Sequence, residues 1–372
     1  MKISIVTLGM MQKQQGKFYN AQDIGLGRAL ANMGNDVDVF NFVPLEAMSG
    51  ENVEELGERL RFHQIPTKAT GVHSMYKKDF IPEDTQGVVC FSDNQMNFER
   101  ILGFCKKRGI TCIPYVGVLG SNNDNKLKGM LMNMISDNMK HYRMMTVLAK
   151  TPDVMKEMKG QGVNSVVLAP VCLDETLLNK NYAETDINDI KAELGRLHGR
   201  DFSGNVVLYV GRLQAEKQPV EMVDVFAEIK KMVHSSQLVM IGSGPLEGAV
   251  RAEIGRKGLF ECVTLIDRVE NSQMWKYYRM ADNVINLNEH EIFGMSILEA
   301  MYYERRVVAI DSPGPKFIME NDSQGMVCES IDNVAEAVYK PNGKFDGKEA
   351  HRRIEENFLW PATAEIIMQQ LS

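Results

Sequence analysis

Glu291-Ile292-Phe293-Gly294-Met295-Ser296-Ile297-Leu298-Glu299 follows the apolar run Asn283-Val284-Ile285-Asn286-Leu287 and the short loop Asn288-Glu289-His290. The order reads as a strand, a glycine-marked turn and a helix start, with a carboxylate at each end of the stretch. In α/β proteins that junction is where anionic ligands are held, because helix N–H groups and their dipole point at it. An acid there is costly unless it meets a hydroxyl or a cation.

Outward from this junction the same alternation recurs. The spacing predicts strands at 206–210, 237–241, 262–266, 283–287 and 307–310, with helical segments between them. A polar stretch, 181–200, precedes them as a surface helix. In the first half, strands are expected at 3–8, 36–40, 87–91, 112–116, 146–149 and 165–169. A helix is expected at 20–33, carried by Ile24, Leu26, Leu30 and Met33 and stopped by Gly34-Asn35. Strand–helix alternation of this kind builds parallel sheets wrapped by helices. The expectation is two doubly wound Rossmann-like domains, 1–170 and 171–357, with parallel sheets facing a cleft. A last amphipathic helix, 358–372, is expected to pack back on the first domain. No repeat of fixed period is visible.

Ligands of such sheets bind at the carboxyl ends of strands, so residues just after strands are the candidates. Gly211-Arg212 and Lys217 follow the strand at 206–210. Arginine forks onto a phosphate and lysine acts as a point charge; the alternative is two solvated surface charges. Gly242-Ser243-Gly244 follows the strand at 237–241 and lets backbone approach an anion. With Asp267 further on, this also opens a nicotinamide-dinucleotide reading. However, G-x-G-x-x-G needs its third glycine at Glu247, and the chain has it at Gly248. For Glu299 the ligand-free alternative is a capping box with Ser296.

Taken together, these motifs resemble the retaining glycosyltransferases of family 4, which have the GT-B fold. The resemblance covers most of the chain. It rests on Glu291-x7-Glu299 enclosing Phe293-Gly294, on Tyr209-Val210-Gly211-Arg212-Leu213 with Lys217, on Ile241-Gly242-Ser243-Gly244-Pro245-Leu246, and on Gly16-Lys17-Phe18-Tyr19-Asn20 with Gly25-Leu26. It implies a hexose or N-acetylhexosamine transferase that takes a nucleotide-diphosphate sugar, UDP in preference to GDP. The acceptor would be a glycan, a lipid-linked molecule or a small molecule, as in polysaccharide biosynthesis. Arg212 and Lys217 would hold the diphosphate, and with Glu291, at the donor sugar, they are the candidate catalytic residues. Glu299 would accept from the ribose hydroxyls. Gly242 and Gly244 would pass near the nucleotide, backbone N–H groups of Phe293, Gly294, Met295 and Ser296 would face phosphate or sugar, and Gly16 would leave room for the donor.

Two departures stand out. Members often place a histidine after a middle strand of the first domain; the corresponding run, Pro114-Tyr115-Val116-Gly117-Val118-Leu119-Gly120, has none. Glu304-Arg305-Arg306 stands where Gly-x-Pro is usual. Fixed cations and helix N-termini can stabilise a departing diphosphate without a metal, and Asp36-x-Asp38 alternates within a strand, so neither metal nor cofactor is expected. A sugar-nucleotide epimerase, a non-catalytic nucleotide-sugar binder and an NAD-dependent enzyme are the alternatives.

Composition bounds the partners. A net charge of −7 argues against a general nucleic-acid binder. Six cysteines without any C-x-x-C pair read as reduced, buried thiols. No signal peptide or 18-residue apolar span is visible, so a cytoplasmic protein is expected. Residues 126–150 are methionine-rich and locally basic. They read as a core helix beside the acceptor, with peripheral contact to the inner membrane face as the alternative.

Overall fold

The computed structural model describes residues 1–11, 21–71, 73–76, 80–93, 95–120, 137–340 and 343–371. The chain divides into two compact units, Met1–Asp174 with Leu359–Ser372, and Glu175–Phe358.

In the first unit the sheet runs in the order Val166–Leu168, Val147–Ala149, Thr111–Val116, Gly87–Phe91, Lys2–Met10, Asp36–Pro44, Leu60–Thr67, Asn52–Gly57. Neighbours are parallel except the last pair, an edge hairpin. Lys2–Met10 lies between Gly87–Phe91 and Asp36–Pro44. Covered on both faces, it is largely apolar, with Ile3, Ile5, Val6 and Leu8 fully buried. The hairpin was not expected from the sequence. Its outer strand, Asn52–Gly57, has no buried residue and carries Glu54 and Glu55, a charged edge of the kind that discourages further strand pairing.

The helix Trp360–Leu371 belongs to this first unit. Glycines make the seat for it on the Gln22–Asn32 helix and the sheet. A Cβ on Gly25 would lie 2.2 Å from Trp360 Nε1, and one on Gly87 would lie 2.9 Å from Leu371 Cδ2. Thr363 Oγ1 donates to Pro170 O at 2.9 Å, and Trp360 is 1% exposed.

The second unit has six parallel strands in the order Val263–Ile266, Gln237–Ile241, Val206–Val210, Asn283–Asn286, Arg306–Ile310, Met326–Cys328. The chain steps outward one way from Val206–Val210, then returns to its other side with Asn283–Asn286. The sheet order reverses between these two strands, and ligands of doubly wound sheets bind outside the carboxyl ends at that point. All six cysteines are buried free thiols. Among the described residues no helix is long and apolar enough to cross a membrane.

Candidate functional site

Lys217 and Glu291 leave the carboxyl ends of the two strands at that reversal. Lys217 Nζ lies 2.6 Å from Glu291 Oε2, with side chains 23% and 12% exposed. The same oxygen accepts from Asn286 Nδ2 at 3.2 Å and Asn288 Nδ2 at 3.3 Å. Both asparagines are buried, and Asn288 N–H donates to Asn286 Oδ1 at 3.0 Å. The acid of the loop is therefore neutralised by a cation and oriented by two amides. A pair this far from bulk water interacts more strongly than a surface pair.

The lysine loop is held from beneath. Tyr209, 3% exposed, places its hydroxyl 3.2 Å from Arg212 O and 3.3 Å from Lys217 O. Burial pushes that hydroxyl's pKa up, and nearby Glu216, Glu221 and Glu291 add to it, so it stays a donor. Gln218 sits in the left-handed region at φ 49 just before Pro219. A bulky residue there is strained, and the proline ring locks φ at the next position, so the turn after Lys217 is set rather than adaptable.

Arg212 is not drawn into this cluster. Its side chain is 69% exposed and its ion-pair partner is Glu216 at 3.5 Å, four residues on. Gly242 and Gly244 serve a loop-to-loop contact. A Cβ on Gly242, at φ 146, would sit 2.0 Å from Gly211 O, and one on Gly244 would sit 2.4 Å from Leu213 O. Leu213 N–H donates to Ser243 O at 3.0 Å. These glycines clamp the Arg212–Lys217 loop in register, which accounts for them without a dinucleotide. Asp267, the acid of that alternative, is exposed.

The helix Met295–Tyr302 starts beside Glu291. Gly294 is its N-cap at φ 97, and a Cβ there would lie 3.3 Å from Glu291 Cγ. The N–H groups of Met295 and Ser296 open that helix and make no hydrogen bond among the described residues. Phe293 turns its ring inward onto Phe317 and Phe358, centroids 6.2 and 5.9 Å away, so only its backbone is at the site. Because the helix begins at Met295, Ser296 does not cap it and no capping box forms. Glu299 is 2% exposed and accepts from Tyr278 Oη.

Gly16 lies outside the described residues, as does 126–136 of the methionine-rich segment. Of the remainder, Met139–Tyr142 is a single helical turn and Val147–Ala149 a strand, so 137–150 is not one continuous helix. Asp38 is bound by Arg61 Nε at 2.7 Å and His63 Nε2 at 2.9 Å. Among the described residues no group of three or more His, Cys, Asp or Glu is placed to hold a metal ion.

The first unit has its own cluster after strands, which sequence reasoning missed. Lys150 Nζ lies 4.9 Å from the Phe91 ring centroid, 5.2 Å from that of Tyr115 and 3.9 Å from Asp93 Oδ2. Asp93, at φ 32, accepts from Gly117 N–H at 2.7 Å. These three residues follow three neighbouring parallel strands, in the region where the resemblance implies a histidine. Asn286, Asn288 and Tyr209 were missed as well; the signal available was a polar residue at the end of an apolar run.

Comparison with known proteins gives a consistent result. Residues 195–357 match the family "Glycosyl transferases group 1". An alpha-D-kanosaminyltransferase of Streptomyces kanamyceticus is 28% identical over 183 residues, 49% of this chain and 46% of that protein, so the chain spans about half of that relative's length. Among solved structures, sucrose-phosphate synthase from Thermosynechococcus elongatus has a TM-score of 0.73 at 17% identity, covering 99% of this chain and 97% of that one. Anabaena HepE, solved in complex with UDP and glucose, has a TM-score of 0.69 at 15% identity, covering 100% and 99%. These structures share the fold, two doubly wound α/β units of the GT-B type. Residues 195–357, which carry Lys217 and Glu291, thus match the group 1 glycosyl transferases, and the chain as a whole has the fold of GT-B glycosyltransferases.

Proposed function

We propose that the protein transfers a hexose or N-acetylhexosamine from a nucleotide-diphosphate sugar, UDP by preference, to an acceptor taken by the first unit, with retention of configuration and without a metal. The observation that carries this is the Lys217–Glu291 pair at the sheet-order reversal of the family-matched unit. Breaking a sugar–phosphate bond leaves positive charge on the ring and negative charge on the departing diphosphate. Lys217, held by its strained turn, and the open N–H groups of Met295 and Ser296 are fixed positive groups for that leaving group. Glu291, oriented by Asn286 and Asn288, can accept from sugar hydroxyls. UDP and glucose in the HepE complex support the choice of donor. In this reading Glu299 takes the ribose, Arg212 swings from solvent onto the diphosphate, and Asp93 and Lys150 face the acceptor.

Thermal-shift titration with UDP, GDP and ADP and their sugars tests donor binding. NMR of the product, with and without chelator, tests anomer and metal. A rise in melting temperature with UDP and a product of retained anomer, unaffected by chelator, is expected. A chain that binds none of these nucleotides overturns the reading. One that binds a nucleotide sugar but neither transfers nor hydrolyses it is a binding module, and an epimerised nucleotide sugar marks an epimerase.

A further inference from the structure

The first unit holds a cavity of about 330 Å³ that the transferase reading leaves without a role. It sits at the carboxyl ends of two parallel strands, Asp36–Pro44 and Leu60–Thr67. Leu45 follows the first directly, and Ile65 to Lys68 close the second. Met75 and Tyr76 follow His73–Ser74, which pairs with Gly9 near the end of the central strand Lys2–Met10. Its floor is aromatic: Tyr76 stacks on Phe42 with centroids 5.0 Å apart, and Phe80 meets Tyr76 edge-on at 5.4 Å. The Tyr76 hydroxyl donates to Asn97 O at 2.8 Å, so it is already used. The walls are Leu45, Ile65, Pro66 and Met75, with Thr67 the one uncharged polar residue.

Three features make this more than a packing gap. It lies at the end of the sheet where α/β units bind ligands. Its volume falls in the range of small-molecule sites, which are largely apolar with few polar groups. One of its lining residues is Lys68, which is exposed and makes no ion pair or side-chain hydrogen bond among the described residues. An apolar chamber with an uncommitted cation selects a molecule that is both oily and anionic.

We propose that this cavity takes the hydrocarbon part of an acceptor that carries a phosphate monoester, with the phosphate meeting Lys68. This deepens the transferase reading and rests on it for the word acceptor. Each methylene buried is worth about fourfold in affinity until the cavity is full.

The test is calorimetric titration of the full chain with hexyl, octyl and decyl phosphate, inorganic phosphate and octanol, and with UDP in parallel. The expected result is affinity rising about fourfold per methylene, no detectable binding of inorganic phosphate, and octyl phosphate bound at least tenfold more tightly than octanol. Lys68→Gln should remove that tenfold preference and leave octanol unchanged. Leu45→Asp, at a half-exposed rim position, should weaken every chain length; Met75→Gln serves the same purpose if Leu45→Asp lowers the melting temperature. Affinity flat with chain length, or unmoved by both rim substitutions, overturns the cavity assignment. Equal binding of octanol and octyl phosphate overturns the anionic part. UDP binding without alkyl phosphate binding sinks this proposal and spares the transferase reading; alkyl phosphate binding by a chain that takes none of UDP, GDP, ADP and their sugars sinks the transferase reading and spares the cavity.

Discussion

Lys217 and Glu291 are 74 residues apart in sequence and 2.6 Å apart in space, joined because their strands are neighbours in the sheet although not consecutive in the chain. In the free protein each neutralises the other, so the site is built before any ligand arrives.

Removing the cation should tax the chemical step more than the fold. Lys217→Met is expected to lower kcat by about 10²–10³-fold, in line with the loss of one fixed transition-state donor. Glu291→Gln is expected to raise KM as well, through lost sugar contacts. Steady-state kinetics of both single variants and the double variant measure the coupling; effects that simply add would show that the pair does not act as a unit.

Glu299 is bonded to Tyr278 and proposed for the ribose, and two substitutions separate these roles. Glu299→Gln keeps the volume and removes the charge, and should weaken UDP by about tenfold or more, as for hydrogen bonds to a charged group. Tyr278→Phe should lower stability by about 1–3 kcal/mol and leave UDP affinity within about threefold. If Glu299→Gln lowers only the melting temperature in a UDP titration, its partner is Tyr278 and the ribose role fails.

His63 gives the first unit a pH signature. Burial disfavours its charged form, but bonds to Asp38 and Glu51 outweigh that and raise its pKa above 6.5. Its stabilisation is thus full below about 6.5 and is lost as pH rises through the raised value. Asp38 is the converse: burial raises its pKa, and His63 and Arg61 bring it below 3.8, so its contribution is lost only as strong acid protonates it. Trp360 lies in the first unit and Trp275 in the second, so in a Trp275→Phe background Trp360 fluorescence reports on the first unit alone. Its urea midpoint should fall between pH 6 and pH 8.5, and His63→Gln should flatten that slope.

The seat of Trp360 is a packing prediction. Gly25→Val would place atoms where the indole lies, and overpacking typically costs about 1–3 kcal/mol. Trp360→Ala should cost about 3–5 kcal/mol through the cavity it leaves. Circular dichroism melts of both variants check this; unchanged melts would mean the helix is not seated there.

The two-sheet architecture could be read from the chain because a strand covered on both faces is largely apolar, as at Val206–Val210 or 307–310. The hairpin Asn52–Thr67 could not, since one strand has no buried side and the other buries Gln64 at 1% exposure. Residues after strands could be named one by one, but which of them meet depends on strand order. Arg212 and Lys217 look equivalent in sequence, yet Lys217 meets Glu291 while Arg212 stays in solvent beside Glu216. The Ser296–Glu299 spacing matches a capping box, and only the helix start at Met295 shows that it is not one.

The placement of Trp360–Leu371 has a consequence for biosynthesis. The first unit is emitted early from the ribosome but lacks the helix that covers Gly25 and Gly87 until residue 371 has been made. At about 5–20 residues per second the intervening unit takes roughly 10–40 s to synthesise. Throughout that interval an apolar strip of the nascent chain stays open to water, a natural landing place for a chaperone.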